Sequence, residues 1–125
     1  MKIKHSQEDK LFSLLVRHMA QGICEHCHKH KGVKKLQASH YFGRRNKALR
    51  WDLKYGNVSA LCFTCHMVTM TENPHYHTKW MKEKLGAVRY RKLVNASTTI
   101  KKWTKDELKE LRAELKERLK WWQDG

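Results

Sequence analysis

The chain has 125 residues and a formal net charge of +15, with 27 Lys or Arg against 12 Asp or Glu. That length suits one domain with a small core, in which a metal staple would relieve the shortage of buried surface. No apolar run approaches the roughly 20 residues of a membrane span, and Met1-Lys2-Ile3-Lys4-His5 lacks the apolar stretch of a secretory signal, so we expect a soluble, cytoplasmic protein with no membrane partner.

In chain order, residues 6–21 open on the capping pattern Ser6-x-x-Asp9 and place Leu11, Phe12, Leu15, Val16 and Met19 at helical spacing, ending at Gly22. Residues 23–30 form a first cysteine hairpin around Cys24 and Cys27. Residues 36–42 alternate Leu36, Ala38, His40 and Phe42 with Gln37, Ser39 and Tyr41, which suits a short strand. Residues 43–54 form a basic loop with Trp51 among its anchors, and Tyr55-Gly56-Asn57 turns into a second strand over 58–61. Cys62 and Cys65 make the second hairpin, from which a helix is expected to run from Thr64 through Met70. Further helices are predicted over 74–85, behind Pro74, and over the basic segment 87–95. The capping box Thr104-x-x-Glu107 starts a terminal helix with Leu108, Leu111, Leu115, Leu119 and Trp122 on one stripe. That stripe suits packing on the chain's own core, although a homodimer seam stays open.

All four cysteines sit in two C-x-x-C pairs. In a reducing compartment this spacing favours thiolate ligands on one tetrahedral Zn²⁺ over a redox dithiol or a disulfide. His26, His28 and His30 are then read as surface or DNA-contacting side chains.

The charge is uneven. Residues 1–100 carry 19 Lys or Arg against 6 Asp or Glu, while residues 101–125 carry 8 against 6. Between Lys29 and Gly56 there are nine cations and one anion, Asp52, a footprint that points to a nucleic-acid partner. Arg44, Arg45, Lys47, Arg50 and Lys54 are the expected phosphate contacts, with Tyr41 and Trp51 as core packing or stacking partners.

Hydrolysis of a phosphodiester needs a base, a cation to neutralise charge, and a scaffold that holds both. His40, Asn57 and His66 have the chemistry to supply those parts. The strings Ser39-His40, Gly56-Asn57-Val58-Ser59-Ala60-Leu61-Cys62 and Cys65-His66 resemble the HNH endonuclease superfamily, in the version with two C-x-x-C hairpins on a structural zinc. The resemblance implies an α+β fold: a small ββα-metal core stapled by Cys24, Cys27, Cys62 and Cys65, surrounded by helices and followed by a long C-terminal helix. It implies His40 as general base, His66 as ligand of a catalytic Mg²⁺ or Mn²⁺, and Asn57 as organiser of the loop. Many members carry Asp where this chain has Ser39, so Asp52, His75 or His77 is the expected replacement ligand, unless water and phosphate fill the shell.

A longer string, Ala38-Ser39-His40-Tyr41, Gly43-Arg44-Arg45, Leu49-Arg50-Trp51-Asp52, Asn57-Val58 and Leu85-Gly86, is similar to the NinG or Rap family of phage recombination endonucleases. That likeness implies a phage-encoded enzyme acting on branched DNA such as four-way junctions and D-loops in a bacterial host. The division expected is a nuclease domain over 1–100 and an amphipathic helix over 101–125. The competing functions are a non-catalytic, zinc-stabilised DNA-binding accessory protein and a linear-duplex nuclease of packaging or restriction type.

Overall fold

The computed structural model describes residues 4–124; residues 1–3 of the expected signal-free N-terminus and residue 125 lie outside it. The architecture is mixed α and β, with helix α1 (Gln7–Met19), strands β1 (Leu36–His40) and β2 (Val58–Cys62), a π helix (Thr64–Met70), and helices α2 (Pro74–Leu85), α3 (Ala87–Ser97) and α4 (Lys105–Asp124). Among the described residues no helix is long and apolar enough to cross a membrane.

The capping box of α1 closes in both directions: the Asp9 amide donates to Ser6 Oγ at 3.1 Å and the Ser6 amide donates to Asp9 Oδ2 at 2.8 Å. The helix then buries Phe12, Leu15 and Val16 against the sheet. The two strands pair antiparallel, with Leu36 opposite Cys62, Ala38 opposite Ala60, Ser39 opposite Ser59 and His40 opposite Val58. All five residues of β2 are buried, which is why this strand reads as a nearly continuous apolar run. The expected strand over 36–42 stops at His40, since Phe42 gives its backbone N–H to a side chain, Asn57 Oδ1, rather than to a strand partner.

The helix expected after the second hairpin is present over its full span, but it is wound as a π helix. The His66 carbonyl accepts from the Thr71 amide, five residues on, and also from the Thr71 hydroxyl at 2.7 Å. Such wide turns recur at functional sites. Gly56 is required for a different reason. Its φ is +82°, and a Cβ built there would lie 2.7 Å from Leu85 Cδ2. Glycine therefore lets α2 approach the turn that delivers Asn57 into β2.

Helix α4 belongs to the main core. Leu115 and Leu119 are buried with the α1 stripe, and Arg112 pairs with Glu8 at 2.6 Å. Its capping box forms as expected, with the Thr104 amide donating to Glu107 and the Glu107 amide to Thr104, both at 3.1 Å. The stripe is thus used in cis. Leu115→Ala is expected to lower the unfolding free energy by about 3 kcal/mol, because it leaves a cavity between two helices; urea unfolding followed by circular dichroism measures it. A smaller cluster of Leu49, Met81 and Leu93 holds the 43–54 loop to α2 and α3.

Candidate functional site

The four cysteines come together from two separate turns. Backbone pairing between Ile23 and His30 closes the first, and β2 leads directly into the second. The four sulfurs all lie within 4.8 Å of one another, and Cys27 Sγ and Cys62 Sγ are 3.9 Å apart. Tetrahedral Zn–S bonds of about 2.3 Å set the sulfurs about 3.8 Å apart, so the donor set and its spacing fit zinc. Burial alone would raise the Cys24 thiol, but backbone amides of Cys27, Cys62 and His26 outweigh it and bring it down to about 7. These amides stabilise a thiolate and hence a metal ligand.

His26, expected at the surface, instead serves this centre. Its Nδ1 lies 3.3 Å from Cys65 Sγ and its Nε2 lies 2.7 Å from the Tyr76 hydroxyl. An Nδ1–H pointing at sulfur leaves Nε2 to accept from the tyrosine, so α2 is tied to the cysteine cluster through one imidazole. His28 and His30 are exposed.

His40 and His66 line one open cleft of about 730 Å³, together with Lys10 and Arg17 of α1, Gln37 and Arg44. His40 Nε2 is 2.9 Å from the Arg50 carbonyl oxygen. A carbonyl can only accept, so Nε2 carries the proton and Nδ1 keeps a lone pair. The same logic applies to His66, whose Nδ1 donates to Gln37 Oε1 at 2.7 Å and leaves Nε2 as the lone-pair atom. Burial lowers both imidazole pKa values; for His40 the Arg50 carbonyl works against burial and the Arg44 charge adds to it. Both rings are therefore held neutral at pH 7, the state a base or a metal ligand requires.

Asn57 is completely buried and spans the loop. Its Oδ1 accepts from the Phe42 amide at 2.8 Å, and its Nδ2 donates to the carbonyls of Phe42 at 2.9 Å and Leu49 at 3.2 Å. With both amide N–H groups and its oxygen engaged by the loop, Asn57 shapes residues 43–54. Asp52 is also occupied elsewhere. Its carboxylate accepts from the backbone amides of Lys54, Tyr55 and Asn57, and it lines a different groove, which corrects its assignment as a replacement metal ligand. His75 is exposed, and His77 packs edge-on against Tyr41 with ring centroids 5.0 Å apart. Ser39 is 2 % exposed and faces the same way as Ser59, whose hydroxyl accepts from Lys84 at 2.7 Å. Among the described residues the four cysteines are the one group of three or more His, Cys, Asp or Glu side chains placed to share a metal.

The expected phosphate contacts divide. Arg45, Lys47 and Lys54 are exposed, and Arg44 is half-buried beside the cleft. Arg50 is a correction. Its Nε donates to Asp9 Oδ1 at 2.9 Å and its Nη2 to Asp9 Oδ2 at 2.5 Å, so the Nε/Nη2 edge of the guanidinium is held bidentately inside the protein. Tyr41 and Trp51 are likewise structural: the Tyr41 hydroxyl meets Thr78 and Tyr90, and the Trp51 indole N–H donates to Asp9 at 3.0 Å.

Sequence reasoning missed Asp9 as an anchor and Lys10 and Arg17 as cleft cations. A signal was present, since Glu8 and Asp9 stand at helical spacing from Phe12, Leu15 and Val16 and so fall on the buried stripe. Burial works to raise the Asp9 carboxyl, but Arg50, the Ser6 amide and Trp51 hold it well below the usual carboxylate range. Asp9→Asn is expected to cost about 3 kcal/mol, because it leaves a mostly buried guanidinium without its counter-charge. Thermal melts at pH 7 would show the loss. Neither a family model nor a curated protein nor a solved structure matches this chain.

Proposed function

We propose that the chain is a metal-dependent DNA endonuclease of the HNH type, built on a ββα-metal core whose four cysteines hold a structural zinc. The observation that carries this reading is the pair of neutral imidazoles in one cationic cleft, each with its tautomer set by a carbonyl oxygen: His40 by Arg50 and His66 by Gln37.

In this reading His40 Nδ1 takes a proton from water as the water oxygen bonds to phosphorus and the bond to the leaving sugar oxygen breaks. Lys10 and Arg17, with Arg44 beside its Asp9 partner at 3.5 Å, attract the backbone and balance its charge. His66 Nε2 is the ligand available to Mg²⁺ or Mn²⁺, an ion that supplies Lewis-acid stabilisation of the phosphate and leaving oxygen when bound. With one imidazole from the protein, most of the ion's shell would come from water and phosphate oxygens, as suits Mg²⁺. Likeness to the NinG or Rap family adds branched DNA as the substrate class. Cleavage of a four-way junction, compared with its linear arms in Mg²⁺ or Mn²⁺, tests both parts: no cutting of either DNA removes the enzyme reading, and equal cutting removes the junction preference.

One observation favours a second reading. Ser39, in place of the usual carboxylate, is buried on the Lys84 side and absent from the cleft lining, which suits a zinc-stabilised DNA-binding protein without catalysis. That protein would bind DNA in a salt-sensitive way that His40→Ala leaves unchanged.

A further inference from the structure

Away from the cleft, two adjoining hollows of about 550 and 740 Å³ share Lys54, Tyr55 and Lys92 and so form one groove. It runs between the end of the 43–54 loop and the exposed side of α3. Arg89 lines one part and Lys101 with Trp103 the other, and no Asp or Glu lines either part. Lys101 is paired with Glu107. The other three cations, Lys54, Arg89 and Lys92, form no ion pair with a carboxylate of the described residues. The groove beside Cys24, which Arg89 also borders, is different in kind, because Glu25, Asp52 and Glu83 line it.

Two aromatic side chains, Tyr55 and Trp103, line the groove along α3. Lys54 Nζ lies 5.3 Å from the Tyr55 ring centroid, and the Trp103 indole N–H donates to the Lys47 carbonyl at 2.9 Å, which fixes that ring at the groove edge. Cations with no carboxylate partner among the described residues, beside held aromatic rings, suit a phosphate backbone with its sugars and bases. Continuity points to the occupant. Gly43 and Arg44 line the His40 cleft, whereas Ala48 and Lys54, later in the same loop, line this groove. One basic segment thus runs from one site to the other.

We propose that the α3 groove is a second DNA-backbone site, which holds another segment of the DNA whose scissile strand lies at the His40 and His66 cleft. This inference rests on the DNA-cleaving reading above and deepens it, because a substrate that fills both sites must extend or branch beyond the cut.

The test measures binding of a fluorescent four-way junction to the full chain over a range of salt concentrations. Three proteins are compared: wild type, Arg89→Ala with Lys92→Ala, and Lys116→Ala with Lys120→Ala on the exposed side of α4. Both pairs remove the same charge from exposed positions. The groove pair is expected to reduce the slope of log affinity against log salt by about 2, since each phosphate contact contributes about 0.9, while the α4 pair leaves it unchanged. Equal slopes for wild type and the groove pair, or equal losses for the two pairs, would overturn the second site while leaving the cleft reading intact. A wild-type protein that binds no DNA would overturn both.

Discussion

Cys62→Ser is expected to abolish the folded state rather than weaken it. Cys62 closes the sulfur cluster 3.9 Å from Cys27, and its backbone N–H donates to Cys24 Sγ at 3.3 Å, so this residue serves as a sulfur donor and stabilises its neighbour's thiolate. The cluster joins the first hairpin to the end of β2 and the start of the π helix, and it locks the pairing in which the Glu25 amide donates to the Ala60 carbonyl at 2.9 Å. A structural zinc in such a site contributes on the order of 10 kcal/mol or more, comparable to the whole stability of a domain this size. Wild-type protein should carry one zinc per chain. The variant, or wild type treated with a strong chelator, should lose zinc, near-ultraviolet dichroism and cooperative melting together. A metal-free chain that melts at the wild-type temperature would show that the cysteines are not a staple.

The second large effect belongs to His40→Ala. If Nδ1 of His40 is the base, its removal should reduce metal-stimulated DNA cleavage by roughly 10²–10⁴-fold, the usual contribution of a positioned general base. Junction affinity should stay within a few fold, since Lys10, Arg17 and Arg44 remain. The pH profile gives an independent check with a definite sign. Burial lowers the His40 pKa, so the neutral ring persists below the ordinary imidazole value of about 6.5 and the acid-side fall in rate should come below that pH. The same depression means that the unfolded chain binds protons more readily than the folded one. Stability from buried neutral His40, His66 and His77 is therefore present above the ordinary value and declines as pH falls through it. Cleavage by His40→Ala at the wild-type rate would end the assignment of this ring as base.

Much of the framework was legible in the sequence because it depends on local rules. The capping boxes at Ser6 and Thr104, the proline at the start of α2 and the glycine at its end each satisfy backbone groups within a few residues, and all appear where the spacing places them. The paired cysteines are similar, since two C-x-x-C turns in one chain supply the four thiolates of a tetrahedral metal site. Asn57 was legible as a loop organiser only through a family likeness, and its three hydrogen bonds now supply a physical reason for that role.

The misjudged residues share one cause. Arg50, Asp52 and His26 were weighed as members of a basic loop or a histidine-rich turn, but each finds its partner far along the chain or in a backbone amide of its own turn. An arginine in a cationic stretch is indistinguishable by sequence from a phosphate contact until folding brings it to a buried carboxylate, Asp9, 41 residues away along the chain. The sequence by itself therefore determined the elements, the cysteine set and the sign of the charge, all of which follow from short-range periodicity and composition. Tertiary structure decided which imidazole nitrogen keeps its lone pair, which cations face outward and that α4 completes the core, because hydrogen-bond partnership and burial are set by the packing of segments distant in the chain.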